Sequence, residues 1–156
     1  AGLGITHAET VDYMGGSLRV FARRGGAMGA PIPDDPPAEA WRELADYAAS
    51  LRRDLVDRLY RVRALGGRVV GIGAAAKGNT LLNYCRIDRE LVECVADASP
   101  HKIGKLTPGA HLPIIADGDI PAEATHALIL PWNIADHLQQ KLAPLGLEFI
   151  VPGRCP

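Results

Sequence analysis

Arg68-Val-Val-Gly-Ile-Gly-Ala-Ala-Ala-Lys-Gly-Asn-Thr-Leu-Leu-Asn-Tyr84 is the stretch from which the fold is read. Val69, Val70 and Ile72 form a short apolar run with the β-branched side chains that a buried strand prefers. Gly71 and Gly73 then end the strand, because a residue without Cβ lets the backbone turn sharply and lie close to a ligand. Ala74 to Ala76 are small, Lys77 adds a positive charge, and Gly78-Asn79-Thr80 leads into a helix predicted from about Asn79 to Cys85. A strand, a Gly/Ala turn and a helix start in succession make an anion site. The loop amides and the positive end of the helix dipole converge there, and Lys77 adds a movable ammonium. The backbone of Ala75 to Thr80 and the Lys77 side chain are the predicted anion ligands, with a bare Gly/Ala turn as the alternative.

Gly71-x-Gly73-x-x-Ala76 satisfies the G-x-G-x-x-G/A dinucleotide pattern, and Asp97 follows it at the end of a second apolar run. The Walker A pattern is not met, since Lys77 precedes Gly78 instead of following the last glycine.

Working outward, Leu91–Ala96 is predicted as the second strand, Leu112–Ile115 as an extended piece, Thr125–Leu130 as a third buried strand and Leu147–Val151 as the last. A helix is expected over Ile134–Leu142, with Asn133 as its N-cap. Upstream, a helix is predicted from Ala38 to Ala64, introduced by Pro36-Pro37 and stopped by Gly66-Gly67. Trp41, Leu44, Ala48, Leu51, Leu55, Leu59 and Val62 form its apolar stripe, and its charged residues read as a solvated face. Residues 24–37 read as a Pro/Gly linker. Ahead of it, residues 1–23 form a β segment leading in from a missing N-terminal region, with strands at Ile5–Val11 and Ser17–Ala22. The predicted fold is therefore α/β: a Rossmann-like parallel sheet with flanking helices over 38–156, preceded by a short N-terminal β segment and a long helix.

The bulk composition narrows the function. With 22% charged residues, 5% aromatics and a net charge of −1, the chain has neither the basic footprint of a nucleic-acid binder nor a polybasic membrane patch. Cys85, Cys94 and Cys155 are widely spaced, which points to reduced thiols in a cytoplasmic protein. The five histidines lack metal-binding spacing, so no metal ligands are assigned.

In a doubly wound sheet the ligand crevice lies beyond the carboxyl ends of the strands. The Gly73–Asn79 loop, Asp97 with His101 and Lys102, and Pro131-Trp132-Asn133 all fall there. Asp97 suits a ribose or sugar hydroxyl or a capping role. His101, Lys102 and Lys105 are candidate phosphate cations or solvated loop charge, and Trp132 is a stacking surface or a packing anchor.

These residues resemble the C-terminal domain of the S-adenosylmethionine (SAM)-dependent C-methyltransferases that modify nucleotide-linked deoxysugars. The resemblance is carried by Gly15-Gly-Ser-Leu-Arg-Val20, Gly71–Tyr84, Asp97-x-x-Pro-x-Lys-x-Gly104, Pro108-Gly109, Leu112-Pro-Ile114 and Ile129-Leu-Pro-Trp-Asn133. It implies a dTDP-sugar substrate, with SAM and zinc bound by N-terminal domains absent from this chain, which is then expected to be inactive alone. It also implies that Lys77, Asn79 and Thr80 face the pyrophosphate, and that Gly15, Gly16 and Ser17 face the sugar. Where related proteins carry a His ahead of the Gly-Gly pair, this chain has Met14, which cannot move a proton. Tyr13 or Asp12 would then have to serve, or a base from the absent domains. The competing readings are an NAD(P)-type dinucleotide module and a non-catalytic packing domain.

Overall fold

A computed structural model describes residues 2–13, 16–26 and 36–153. Most of the predicted linker, together with Met14, Gly15 and Cys155, lies outside them. The chain divides into two units, residues 1–43 and 44–156.

In the first unit, β1 (Leu3–Val11) pairs antiparallel with β2 (Ser17–Arg24) from Leu3↔Arg24 to Val11↔Ser17, with an irregularity between Ile5 and His7. Both strands run two residues beyond the predicted limits at their open end. The added residues, Leu3, Gly4, Arg23 and Arg24, are sustained there by backbone pairing, Leu3 with Arg24 and Gly4 with Arg23.

α1 (Ala38–Ala64) begins in the first unit and lies mostly in the second. Its periodicity gave both ends correctly. The stop is built from Gly66, at φ 80°, and from the Gly67 amide, which donates to the Val62 carbonyl at 2.9 Å. The apolar stripe is buried only in its second half, at Leu55, Leu59 and Val62, while Leu44 stands 54% exposed.

The remainder of the second unit is β3 (Val69–Ile72), α2 (Ala76–Cys85), β4 (Val95–Asp97), β5 (Ile114–Ala116), β6 (His126–Ile129), α3 (Ala135–Leu142) and β7 (Glu148–Ile150). All five strands are parallel, in the order β5-β4-β3-β6-β7. Side chains alternate across the sheet as a pleat requires. Val69, Val95, Leu128 and Leu130 join one core cluster with residues of α1 and α2. Val70, Ile72, Ala96, Ala127 and Ile129 join a second cluster with Ala135 and Leu142 of α3. Helices therefore cover both faces.

Three element boundaries depart from the sequence reading. α2 starts at Ala76, three residues before the expected Asn79. Gly78, read as loop, lies inside the helix at a point where a Cβ would collide with Leu130, the residue after β6, so only glycine lets the helix approach the chain there. The second strand is shorter than Leu91–Ala96. The Leu91 and Val92 amides turn back to the Asp88 carbonyl, and both side chains are buried without strand pairing. Asn133 is not the N-cap of α3. It sits inside a 3-10 turn, Trp132–Ile134, closed by the Ile134 amide on the Pro131 carbonyl, so the capping position falls on Ile134.

At the amino ends of the strands, Glu93 gathers two arginines. Arg68 Nη2 donates to Glu93 Oε2 at 2.7 Å, and Arg63 Nη1 donates to Oε1 at 3.1 Å. No helix among the described residues is long and apolar enough to cross a membrane.

Candidate ligand site

The connection from β3 runs through α2 to β4 on one side, and that from β6 runs through α3 to β7 on the other. The sheet therefore reverses its winding between β3 and β6, and a ligand crevice is expected beyond their carboxyl ends. The glycine turn after β3 and the Pro131–Asn133 turn after β6 meet there. Gly73, at φ 83°, has room for no Cβ, because one would lie 2.9 Å from the Pro131 ring. Lys77 Nζ stands 6.0 Å from the centre of the Trp132 ring, within cation–π range. The first-turn amides of α2 lie beside them: the chain enters the helix extended at Ala75, and no side chain caps it.

The earlier helix start changes the roles of the predicted residues. Lys77 and Gly78 lie within the first turn, so its outward amides belong to residues 76–78. The Asn79 amide donates to the Ala75 carbonyl at 2.9 Å, and the Thr80 hydroxyl donates to the Ala76 carbonyl at 3.2 Å.

Asp97 and Lys102 come together, a pairing the sequence did not predict, and they grip the glycine turn. Asp97 Oδ2 accepts from the Ala74 amide at 2.7 Å and from Lys102 Nζ at 3.1 Å, while Oδ1 accepts from the Ser99 amide at 2.8 Å. Lys102 Nζ also donates to the Ala74 carbonyl at 2.9 Å. The Ala74 residue is thus held at both its donor and its acceptor. Burial pushes the Asp97 carboxyl up, but the Ser99 amide, the Lys102 ammonium and the Ala74 amide outweigh it and leave it below its ordinary value. A ribose hydroxyl seeking this carboxylate, as in a dinucleotide or SAM site, would compete with three donors of the chain itself.

His101 lies exposed on the loop after β4. That loop folds back on itself: the Gly104 amide donates to the Ile114 carbonyl at 2.9 Å, and the Ile114 amide to the Lys105 carbonyl at 2.8 Å. Asn83 fastens the loop to α2, its Nδ2 donating to the Pro108 carbonyl at 2.9 Å and to the Asn79 carbonyl at 2.8 Å. Asn83 was quoted within the motif but given no role. Its clue was an amide four residues beyond Asn79, on the same helix face. Between α2 and this loop lies a cavity of about 260 Å³, bordered by Ala74, Ala75, Asn79, Lys102 and Lys105, and also by Leu106, to which the sequence reading assigns no role.

The predicted sugar-facing group lies in the first unit. Tyr13 carries the hairpin turn: its carbonyl accepts from the Gly16 amide at 3.1 Å and from the Ser17 hydroxyl at 2.9 Å. Asp12 precedes it, and Gly15 lies outside the described residues. Burial pushes the Cys85 and Cys94 thiols up, leaving them protonated at neutral pH. Among the described residues, no three His, Cys, Asp or Glu gather as a metal site.

The fold and the crevice define the class of doubly wound α/β domains, here with a lysine in the first turn of the helix at the switch point. Comparison with known proteins narrows this. Residues 36–152 match the model of the C-methyltransferase C-terminal domain, and the chain belongs to that family. It is 31% identical, over 174 aligned positions, to the C-methyltransferase NovU of Streptomyces niveus. That alignment covers 97% of this chain and 40% of the relative, so the chain spans well under half of the length of the curated protein it matches.

Proposed function

We propose that this chain is the substrate-binding and site-completing part of a SAM-dependent C-methyltransferase acting on a dTDP-linked 4-keto deoxysugar. The observation that carries the proposal is the meeting of Lys77, the first turn of α2 and Trp132 at the switch point, in a chain of the C-methyltransferase C-terminal family. The helix start and the Lys77 ammonium receive the pyrophosphate, which gains from amide donors, helix dipole and a cation together. Trp132 offers a face across which the sugar lies. Asp97 and Lys102 hold the turn in place, so the amides are presented without reorganisation when the ligand arrives.

In this reading SAM supplies the methyl group and is held by another part of the full-length enzyme. The chemistry requires removal of a proton beside the keto group, and the resulting enolate carbon takes the methyl. Tyr13 or Asp12 is this chain's own candidate for moving that proton, since Met14 cannot.

The test is a crystal soaked separately with dTDP and with NAD. Density for dTDP at the first turn of α2 supports the reading. NAD in the same place, with its ribose on Asp97, contradicts it, as does a turn that takes up neither.

A further inference from the structure

A second cavity, of about 410 Å³, lies between α1 and the last turn of α2, at the end of that helix opposite the first-turn amides. Its volume falls in the range of sites that enclose a small molecule. Ala49, Arg52, Arg53 and Val56 line it from α1, at spacings of three, four and seven residues that put them on one helix face. Tyr84 and Cys85 close it from α2. The periodicity of α1 assigns these arginines to a solvated face, yet Arg52 is half-buried and its Cζ stands 5.9 Å from the centre of the Tyr84 ring. That contact holds the guanidinium at the cavity without a carboxylate. Among the described residues, neither Arg52 nor Arg53 makes an ion pair or a hydrogen bond, whereas Arg42, Arg58 and Arg63 of the same helix each reach a carboxylate. Two guanidiniums therefore face a single lining carboxylate, Asp57. The Cys85 thiol adds no charge, since burial keeps it protonated. The carbonyls at the end of α2 are already taken, Leu82 by the Ile87 amide at 2.9 Å and Asn83 by the Arg86 amide at 3.1 Å.

We propose that this cavity is a second ligand site, which takes a small monocarboxylate with an apolar body. The carboxylate accepts from Arg52 and Arg53, whose planar forks match its two oxygens. The body lies on Ala49, Val56 and the Tyr84 ring, which is 44% exposed. A neutral ligand is the poorer occupant, because it leaves both guanidiniums unmatched. An inorganic dianion is poorer too: its second charge meets Asp57, and it has nothing to set against the apolar wall. The site belongs to the second unit alone and is independent of the nucleotide at the switch point.

The test is an NMR titration of the intact, isotope-labelled chain with benzoate, benzamide and sulfate, repeated with Arg52→Met and Arg53→Met. Methionine keeps an apolar stem on the helix and removes the charge. Benzoate should move the signals of Arg52, Arg53 and Tyr84 together and bind at least about tenfold tighter than benzamide or sulfate. Each variant should weaken benzoate about tenfold or more, the loss of one charge-assisted hydrogen bond. Benzoate that binds no tighter than benzamide overturns the proposal, and this comparison decides even where a variant fails to fold. Sulfate as tight as benzoate overturns it as well, since the arginines would then be a bare cationic patch. Signals that move elsewhere in the chain, or benzoate binding unweakened in both folded variants, contradict it equally.

Discussion

Asp97 does more to shape the site than its place at a strand end suggests, because its two oxygens fix the turn that presents the amides. Asp97→Asn removes the charge that pairs with Lys102 and should lower stability by about 1–3 kcal/mol, the range for a half-broken buried polar contact, as read by denaturant titration. The pH dependence follows from the sign of its shift. The folded carboxyl titrates below its ordinary value of 3.8, so its contribution is complete above that value and is lost as pH falls through the folded one. Wild type should therefore lose stability more steeply than Asp97→Asn as pH drops below about 4, measured as thermal midpoints in an acid series. Parallel curves would show that the carboxylate is not held as described. Gly78 gives a second check at this scale. Gly78→Ala places a methyl against Leu130 and should destabilise by about 1–3 kcal/mol as an overpacked contact, although alanine is the better helix former.

At the scale of elements, α1 and the sheet are held by the apolar side chains between them. Leu59 is fully buried in the cluster that joins α1, α2 and the sheet, so Leu59→Ala should cost about 2–5 kcal/mol, read from the midpoint of chemical unfolding. Leu44→Ala, on the exposed half of the same stripe, should change stability by less than about 0.5 kcal/mol. The contrast marks how far sequence reading reaches. The 3.6-residue period of α1 identified a helix and both its ends, because local propensity and the Gly66-Gly67 stop agree. It did not reveal which half is covered, because coverage depends on where the sheet lies. The start of α2 was hidden for the same reason: Gly78 reads locally as a breaker, and its need to be glycine comes from the close approach of Leu130, just after β6 and more than fifty residues away. The acid at Asp97 and the cation at Lys102 were both legible as polar residues beyond the end of the second strand. Their mutual pairing through Ala74 was not, since it depends on how the loop after β4 folds back.

At the scale of the molecule, the two ends of the parallel sheet divide the work. The amino ends carry the Arg63–Glu93–Arg68 cluster, in which the Arg68 hydrogen bonds, opposed by partial burial, draw the Glu93 carboxyl below its ordinary value. Glu93→Gln should lower stability at neutral pH and leave dTDP affinity unchanged, because it lies at the end of the sheet away from the switch point. The carboxyl ends carry the candidate site, where the turns after β3 and β6 converge with the first turn of α2 beside them. The central claim is that this turn and Lys77 anchor the nucleotide. Calorimetric titration of the chain with dTDP, wild type against Lys77→Ala, tests it most directly. Loss of a charge-assisted phosphate contact should cost about 1.5–3 kcal/mol, roughly ten- to a hundredfold in affinity. Binding of dTDP with equal affinity to both proteins would place the nucleotide somewhere other than the switch point and contradict the account.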